Sequence, residues 1–143
     1  MEQLVVEGKL DSLGAIAQYV MKSATEAGLD KKAAYRLRLA VDEIATNIIV
    51  HGYEESGLEG DVSISANIDE RSLTISLEDS AIPYDPNIRN KPEDLDRHIE
   101  HRQVGGLGVY LALEGVDRFL YEYVGDRNRN IFVVNRPNLA EDK

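Results

Sequence analysis

Three groups of residues in this sequence have types and a spacing that could do chemistry. Glu43 and Asn47 stand four residues apart, Asp79 ends an alternating apolar segment, and a glycine run occupies residues 105–108. Glycines let the backbone approach a ligand closely, and a helix that begins just after them directs free N–H groups toward an anion such as phosphate. An ordinary loop followed by a helix cap has the same pattern, so the interpretation depends on the other two groups.

Glu43 and Asn47 lie one turn apart on the same face of a predicted helix. They flank an apolar stripe that repeats at helical spacing and consists of Leu37, Val41, Ile44 and Ile48. An asparagine oxygen in this position can bind Mg²⁺, which takes few protein ligands and keeps its waters and substrate phosphates. A carboxylate one turn away can orient or deprotonate a nucleophile. The alternative is an exposed polar edge on an amphipathic helix.

Asp79 lies at the end of a segment in which apolar and polar residues alternate. Because the period is two, its side chain is expected on the same side as Leu73, Ile75 and Leu77. A carboxylate that faces the apolar side is costly unless it accepts a hydrogen bond. The amino group of a purine would supply the donor, and so would a backbone N–H in the following loop. Aspartate also begins turns, so a structural role stays open.

The pattern predicts the element order β-α-α-β-β-loop-α-β-β. This order favours an α+β fold, a two-layer α/β sandwich with a mostly antiparallel sheet and helices on one face. A long, irregular, charged segment between the third strand and the last helix predicts a lid or binding loop. The predicted elements are a strand at 3–6, a helix from Asp11 to about Glu26, a helix from Asp30 to about Val50 that Gly52 ends, strands at 62–68 and 73–79 joined by Asp69-Glu70-Arg71, a helix from about Gly108 to Gly115, and strands near 118–124 and 130–135 joined by 125–128.

Composition limits the classes of function. The chain has 143 residues, 43% of them hydrophobic and 29% charged, which predicts one globular domain over 1–143. A net charge of −10 disfavours DNA or RNA as a direct partner. The absence of cysteine excludes disulfides and thiolate zinc sites. No apolar run suggests a membrane span and no signal-peptide pattern begins the chain, so a cytoplasmic location is expected.

Together these segments resemble the ATP-binding fold shared by sensor histidine kinases, gyrase-type ATPases and bacterial anti-sigma-factor serine kinases. Residues 43–53 resemble the E-x-x-x-N box of that family, and the ending His-Gly-Tyr is similar to the small serine-kinase branch. Residues 78–86 resemble the first glycine box and residues 103–111 the second. One departure is Ala81, which stands where the first box usually has glycine and which resists φ > 0.

The resemblance implies roles for particular residues. Asn47 would bind the Mg²⁺ that bridges the phosphates, Glu43 would act as general base toward a serine hydroxyl, and Asp79 would accept from the adenine amino group. Ala81 would lie in the adenine pocket, and a lid would span about Tyr84 to Val104. The second box, with its preceding basic residue, would bind the polyphosphate and form the lid hinge, through Arg102, Gly105, Gly106, Leu107 and Gly108.

The resemblance also implies partners. Family members bind a sigma factor or a STAS-domain anti-sigma-factor antagonist, and they phosphorylate the antagonist on serine to switch partners. The expected function is therefore a Mg²⁺-ATP-dependent serine kinase that is also an anti-sigma regulatory factor. The alternative is a non-catalytic partner-binding module with weak or no ATP binding, which Ala81 favours. A homodimer is expected to use the open sheet face, formed by Ser63, Ser65, Asn67, Thr74 and Ser76.

Overall fold

The computed structural model describes residues 2–84 and 112–137, which form a five-stranded sheet and two α-helices. The strand order is β1-β2-β3-β5-β4, and every pair of neighbours is antiparallel. The predicted α+β fold with an antiparallel sheet is therefore confirmed. The elements are β1 (Leu4–Glu7), α1 (Leu13–Glu26), α2 (Lys31–Asn47), β2 (Asp61–Ile68), β3 (Ser72–Asp79), β4 (Arg118–Val124) and β5 (Arg127–Asn135).

The core lies between the two helices and one face of the sheet. In β3 the alternation is regular, because every second residue from Leu73 to Asp79 is buried and the residues between them are half-buried. In α2 the predicted stripe is buried at Leu37, Val41 and Ile44. Removal of these apolar side chains from water is what holds the two layers together. In the part of the chain that the structure describes, no helix is long and apolar enough to cross a membrane.

The first helix begins later than its sequence predicts. Asp11 was the expected N-cap, but it lies inside a short 3₁₀ turn, Leu10–Ser12, and α1 starts after Ser12. The predicted start of α2 is confirmed, since the Asp30 side chain accepts a hydrogen bond of 2.8 Å from the Ala33 N–H. Gly28 has a φ of +78° just after α1, as expected for a glycine that terminates a helix.

The second helix does not end at Gly52, so that part of the prediction is wrong. Helical backbone continues beyond Asn47 as a π-helix, Ile48–Glu54. Gly52 lies within this segment, where a Cβ would stand only 2.7 Å from the Cβ of Ala81. The glycine is therefore required for close packing of the π-helix against the end of β3.

The last hairpin is tighter than predicted. Its turn contains only Gly125 and Asp126, with φ values of 60° and 63°, and Val124 pairs with Arg127. Positive φ at both central residues is typical of the type I′ turn, whose twist suits a two-residue hairpin. The prediction of a four-residue turn and a strand beginning at 130 is therefore wrong. Asn128 belongs to β5 rather than to the turn.

Candidate nucleotide-binding site

Glu43 and Asn47 lie on the last turns of α2, and both side chains are half-buried. Asn47 is the last residue with α-helical hydrogen bonding, and the π-helix follows directly. A π segment is rare in proteins and is often found at a functional site. The two residues therefore stand where the geometry of the helix changes.

Tyr53 connects this end of the helix to the end of β3. Its hydroxyl donates to the carbonyl oxygen of Asp61 at 2.7 Å and accepts from the Ser80 N–H at 2.9 Å. Gly52 lies against Ala81, as described above. Two independent contacts thus fix the π-helix to the residues that follow Asp79. The structure thus holds the π-helix that follows Asn47 against the turn that follows Asp79.

Asp79 is 1% exposed and faces the core layer, as the alternation predicts. Its Oδ1 atom accepts from the Ala81 N–H and from the Asn128 side-chain amide, each at 2.9 Å. Its Oδ2 atom is also buried but has no hydrogen-bond partner among the residues that the structure describes. Burial raises the pKa of this carboxyl group, and the hydrogen bonds from Asn128 and Ala81 oppose that rise.

The sequence leaves open whether Asp79 accepts from a backbone N–H or from a ligand, and its two oxygens differ in this respect. Oδ1 accepts the backbone N–H of the following turn, which is the structural role of a strand-end aspartate. Oδ2 is an acceptor for which the described residues supply no donor. A buried acceptor without a donor is costly, and a ligand that brings an N–H or O–H group removes that cost.

Ala81 is accommodated in the structure. Its side chain is 5% exposed, and its methyl group occupies the space that the missing side chain of Gly52 leaves. Among the described residues other than glycine, positive φ occurs only at Asp126, so the backbone at Ala81 does not require glycine. The departure from the family pattern therefore introduces no strain at this turn.

Three residues at the site were missed by the sequence analysis. Asn128, 3% exposed, contacts Asp79 directly, and the Tyr121 hydroxyl donates to the Asn128 Oδ1 atom. Asn130, 2% exposed, has a buried Oδ1 atom for which residues 2–84 and 112–137 supply no partner. These asparagines alternate with arginines and share the period of Phe132. A strand assignment that began at 127 would have placed both on the buried face.

The described residues fit the nucleotide and the metal that the sequence predicts. The buried Oδ2 atom of Asp79 suits the exocyclic amino group of adenine, which donates hydrogen bonds. The Asn47 amide suits Mg²⁺, which prefers oxygen ligands and needs few from the protein. The predicted phosphate-binding and hinge residues lie outside the described residues; they are Arg102, Gly105, Gly106, Leu107 and Gly108. The predicted lid, about Tyr84 to Val104, lies outside them too except for Tyr84.

The sequence is similar to those of known protein kinases. Two serine-protein kinases named RsbW, from Bacillus cereus strain AH820 and Bacillus anthracis, are 35% identical to the chain over 78 residues. The match covers 52% of this chain and spans about half of the relatives' length, 48%.

Solved structures share the fold. The histidine kinase domain of the Erythrobacter litoralis EL346 blue-light-activated kinase has a TM-score of 0.52 at 20% identity, over 85% of this chain and 58% of that chain. The Acinetobacter baumannii histidine kinase AdeS has a TM-score of 0.50 at 13% identity, over 96% of this chain and 69% of that chain. The family model of the histidine kinase-like ATPase domain matches residues 6–133. The chain therefore belongs to the histidine kinase-like ATPase domain family.

Proposed function

We propose that this protein is a Mg²⁺-ATP-dependent serine protein kinase that is also an anti-sigma regulatory factor. The observation that carries the proposal is the buried carboxylate of Asp79, whose Oδ2 atom has no hydrogen-bond donor among the described residues. The π-helix that follows Asn47 is bound to the turn after Asp79 through Tyr53 and Ser80. The family match supports ATP as the ligand. The relatives' name, serine-protein kinase, supports serine as the acceptor.

Each residue has a chemical task in this proposal. Asp79 accepts from the adenine amino group, and the Asn47 oxygen holds Mg²⁺, which supplies positive charge at the phosphates. Glu43 takes the proton from the substrate hydroxyl as the serine oxygen bonds to the γ-phosphorus and ADP leaves. Ala81 lines the adenine pocket. The phosphates are bound by Arg102 and by the second glycine box, Gly105, Gly106, Leu107 and Gly108.

The proposed protein substrate is a STAS-domain anti-sigma-factor antagonist, and the proposed alternative partner is a sigma factor. Phosphorylation of the antagonist on serine would release it and leave the kinase free for the sigma factor. A homodimer through the open sheet face also remains a proposal. That face is not uniformly accessible, because Ser63 is buried and lies near the Arg127 side chain, at 3.4 Å.

The test is phosphate transfer to a purified STAS-domain partner in the presence of Mg²⁺-ATP. Glu43→Ala should lower the rate by about 10²- to 10⁴-fold, the contribution of a positioned general base, while ATP still binds. Asp42→Ala is the matched control, because Asp42 is the adjacent carboxylate and pairs with Arg38 at 3.5 Å. Equal loss in both variants, or full activity in Glu43→Ala, would contradict the role of Glu43.

The non-catalytic alternative predicts a different result. That alternative was suggested by Ala81, which stands where the family usually has glycine. In the structure the methyl group of Ala81 packs against Gly52, and the backbone at Ala81 does not have a positive φ. Calorimetry separates the two functions: a kinase gives a binding isotherm with Mg²⁺-ATP that Asn47→Ala weakens. A flat titration at high nucleotide concentration would favour the partner-binding module.

A further inference from the structure

A chain of hydrogen bonds runs across the sheet from the half-buried Tyr121 to the buried Asp79. It begins at Tyr121 in β4, whose hydroxyl donates to the Oδ1 atom of Asn128 in β5. The Asn128 amide then donates to Asp79 Oδ1 at 2.9 Å and to the carbonyl oxygen of Ala81 at 3.0 Å. Three adjacent strands thus contribute one member each to this relay, which we define as Tyr121, Asn128 and Asp79.

The partners of Asn128 determine the orientation of its amide. Both N–H groups point at acceptors, Asp79 Oδ1 and the carbonyl oxygen of Ala81, and the amide oxygen points at a hydroxyl donor. The flipped amide would place its oxygen against those two acceptors and leave both of them without the N–H donors that they have now. Unpaired buried polar groups are costly, so the observed orientation is strongly favoured.

The oriented amide also determines which oxygen of Asp79 is free. Oδ1 receives the Asn128 amide and the Ala81 N–H, so the carboxylate is held from two sides. Oδ2 then lies in the position for which the described residues provide no donor. A carboxylate held by Ala81 alone would keep a rotational freedom that the second bond removes.

We propose that Asn128 and Tyr121 are positioning residues that fix Asp79 with its Oδ2 atom presented to the nucleotide base. This inference rests on the proposed function only in naming the base as the ligand of Asp79. The relay also keeps the group an acceptor, because a protonated Oδ2 atom would be a donor and would oppose an amino group.

Electrostatics around Asp79 favour the same role for the relay. Burial raises the pKa of Asp79, and the largest opposing contribution is the hydrogen bond from Asn128. The Ala81 N–H and Arg127 also lower the pKa, whereas Asp61 raises it, and the Tyr53 hydroxyl lies close enough to interact. Loss of the Asn128 bond should therefore move the Asp79 titration to higher pH.

The experiment measures ATP affinity by calorimetry from mildly acidic to mildly alkaline pH. Tyr121→Phe should weaken binding about fivefold at neutral pH, the worth of one hydrogen bond, and should shift the acidic limb of the profile to higher pH. Asn128→Asp should weaken binding more strongly, because two carboxyl groups would then face each other and share a proton. Tyr123→Phe is the matched control, with the same chemical change on the same strand at a half-exposed residue that pairs with Asn128.

A second measurement separates this inference from the proposed function. The carboxyl carbon of Asp79, followed by NMR in protein without nucleotide, should titrate at higher pH in Tyr121→Phe and Asn128→Asp than in wild type and Tyr123→Phe. If wild type binds no ATP, the proposed function is wrong, and this titration still decides the relay. Unchanged titration in Tyr121→Phe would overturn the relay even if Asn128→Asp did not fold.

Discussion

Two aspartates at opposite ends of the β2–β3 hairpin differ in burial, in hydrogen bonding and in the direction of their pKa shifts. Asp69 follows β2 in the turn, and its exposed Oδ1 atom accepts from the N–H groups of Arg71 and Ser72, at 2.7 and 2.8 Å. Those backbone hydrogen bonds lower its pKa. Asp79 ends β3, is buried, has one oxygen without a partner in the described residues, and has a raised pKa.

The difference shows that the same residue type can be fully satisfied by a turn at one end of a strand and only partly satisfied by the described residues at the other. The carboxylate of Asp69 is satisfied by its own turn, so it needs no ligand and stabilises the hairpin. The carboxylate of Asp79 is removed from water and only partly compensated, which costs free energy in the unliganded protein. A perturbed carboxyl group in a partly satisfied site is a functional-site candidate for this reason.

The largest expected effect is on nucleotide affinity. Asp79→Asn should weaken ATP binding by about 30- to 100-fold, because an ionised acceptor is lost and an amide N–H can face the adenine amino group. Calorimetry with Mg²⁺-ATP measures the change. Asp69→Asn is the matched control at the other end of the hairpin, and its affinity should equal that of wild type. Similar losses in both variants would mean that the two aspartates do not differ in function.

A smaller effect is expected on the packing that holds Asp79 in place. Gly52→Ala should destabilise the protein by about 1–3 kcal/mol, because the new Cβ would stand 2.7 Å from the Cβ of Ala81. Chemical denaturation measures the free energy of unfolding. Gly14→Ala is the matched control, since a Cβ there meets no atom of the described residues within 4 Å and an alanine suits the α1 helix.

A double variant tests whether the clash is specific. Ala81→Gly in the Gly52→Ala background exchanges the two residue types and should recover most of the lost stability, because the methyl group is moved rather than added. The interaction free energy from this double-mutant cycle should be large and favourable. Additive losses would show that the π-helix and the turn after Asp79 do not depend on this contact.

Much of the comparison was predictable from sequence because it depends on local periodicity. The alternation in β3 placed Asp79 on the buried face, and the short segment at Asp69 predicted the hairpin turn. Gly52 was misinterpreted, because a glycine near the end of an apolar stripe ordinarily terminates a helix. Its actual role depends on Ala81, which is 29 residues away in the chain, and periodicity carries no information on such a contact.

The relay around Asp79 was missed for a related reason. The sequence 125–128 is typical of a four-residue turn, whereas the structure forms a two-residue turn and places Asn128 in β5. The strand order β3-β5-β4 then puts Asn128 opposite Asp79. Strand order is a long-range property, so a buried asparagine that contacts a carboxylate on another strand cannot be assigned from one sequence. The roles of Glu43 and Asn47 stay predictions.

The smallest expected effect is on the pH dependence of stability, where the two aspartates should have opposite signs. The ordinary pKa is 3.8 for both groups. The raised pKa of Asp79 means that the folded state binds its proton more tightly, so stability falls as pH rises from that ordinary value through the folded pKa. The lowered pKa of Asp69 means the reverse: its contribution is present above the ordinary value and is lost as pH falls through the folded pKa. Denaturation of wild type, Asp79→Asn and Asp69→Asn across acidic to neutral pH measures how the free energy of unfolding changes with pH in each protein.

Relative to wild type, Asp79→Asn should gain stability as pH rises, because it lacks the titration that destabilises wild type. Asp69→Asn should lose stability relative to wild type as pH rises, because it lacks the titration that stabilises wild type. Slopes of the same sign would contradict the opposite pKa shifts of the two aspartates.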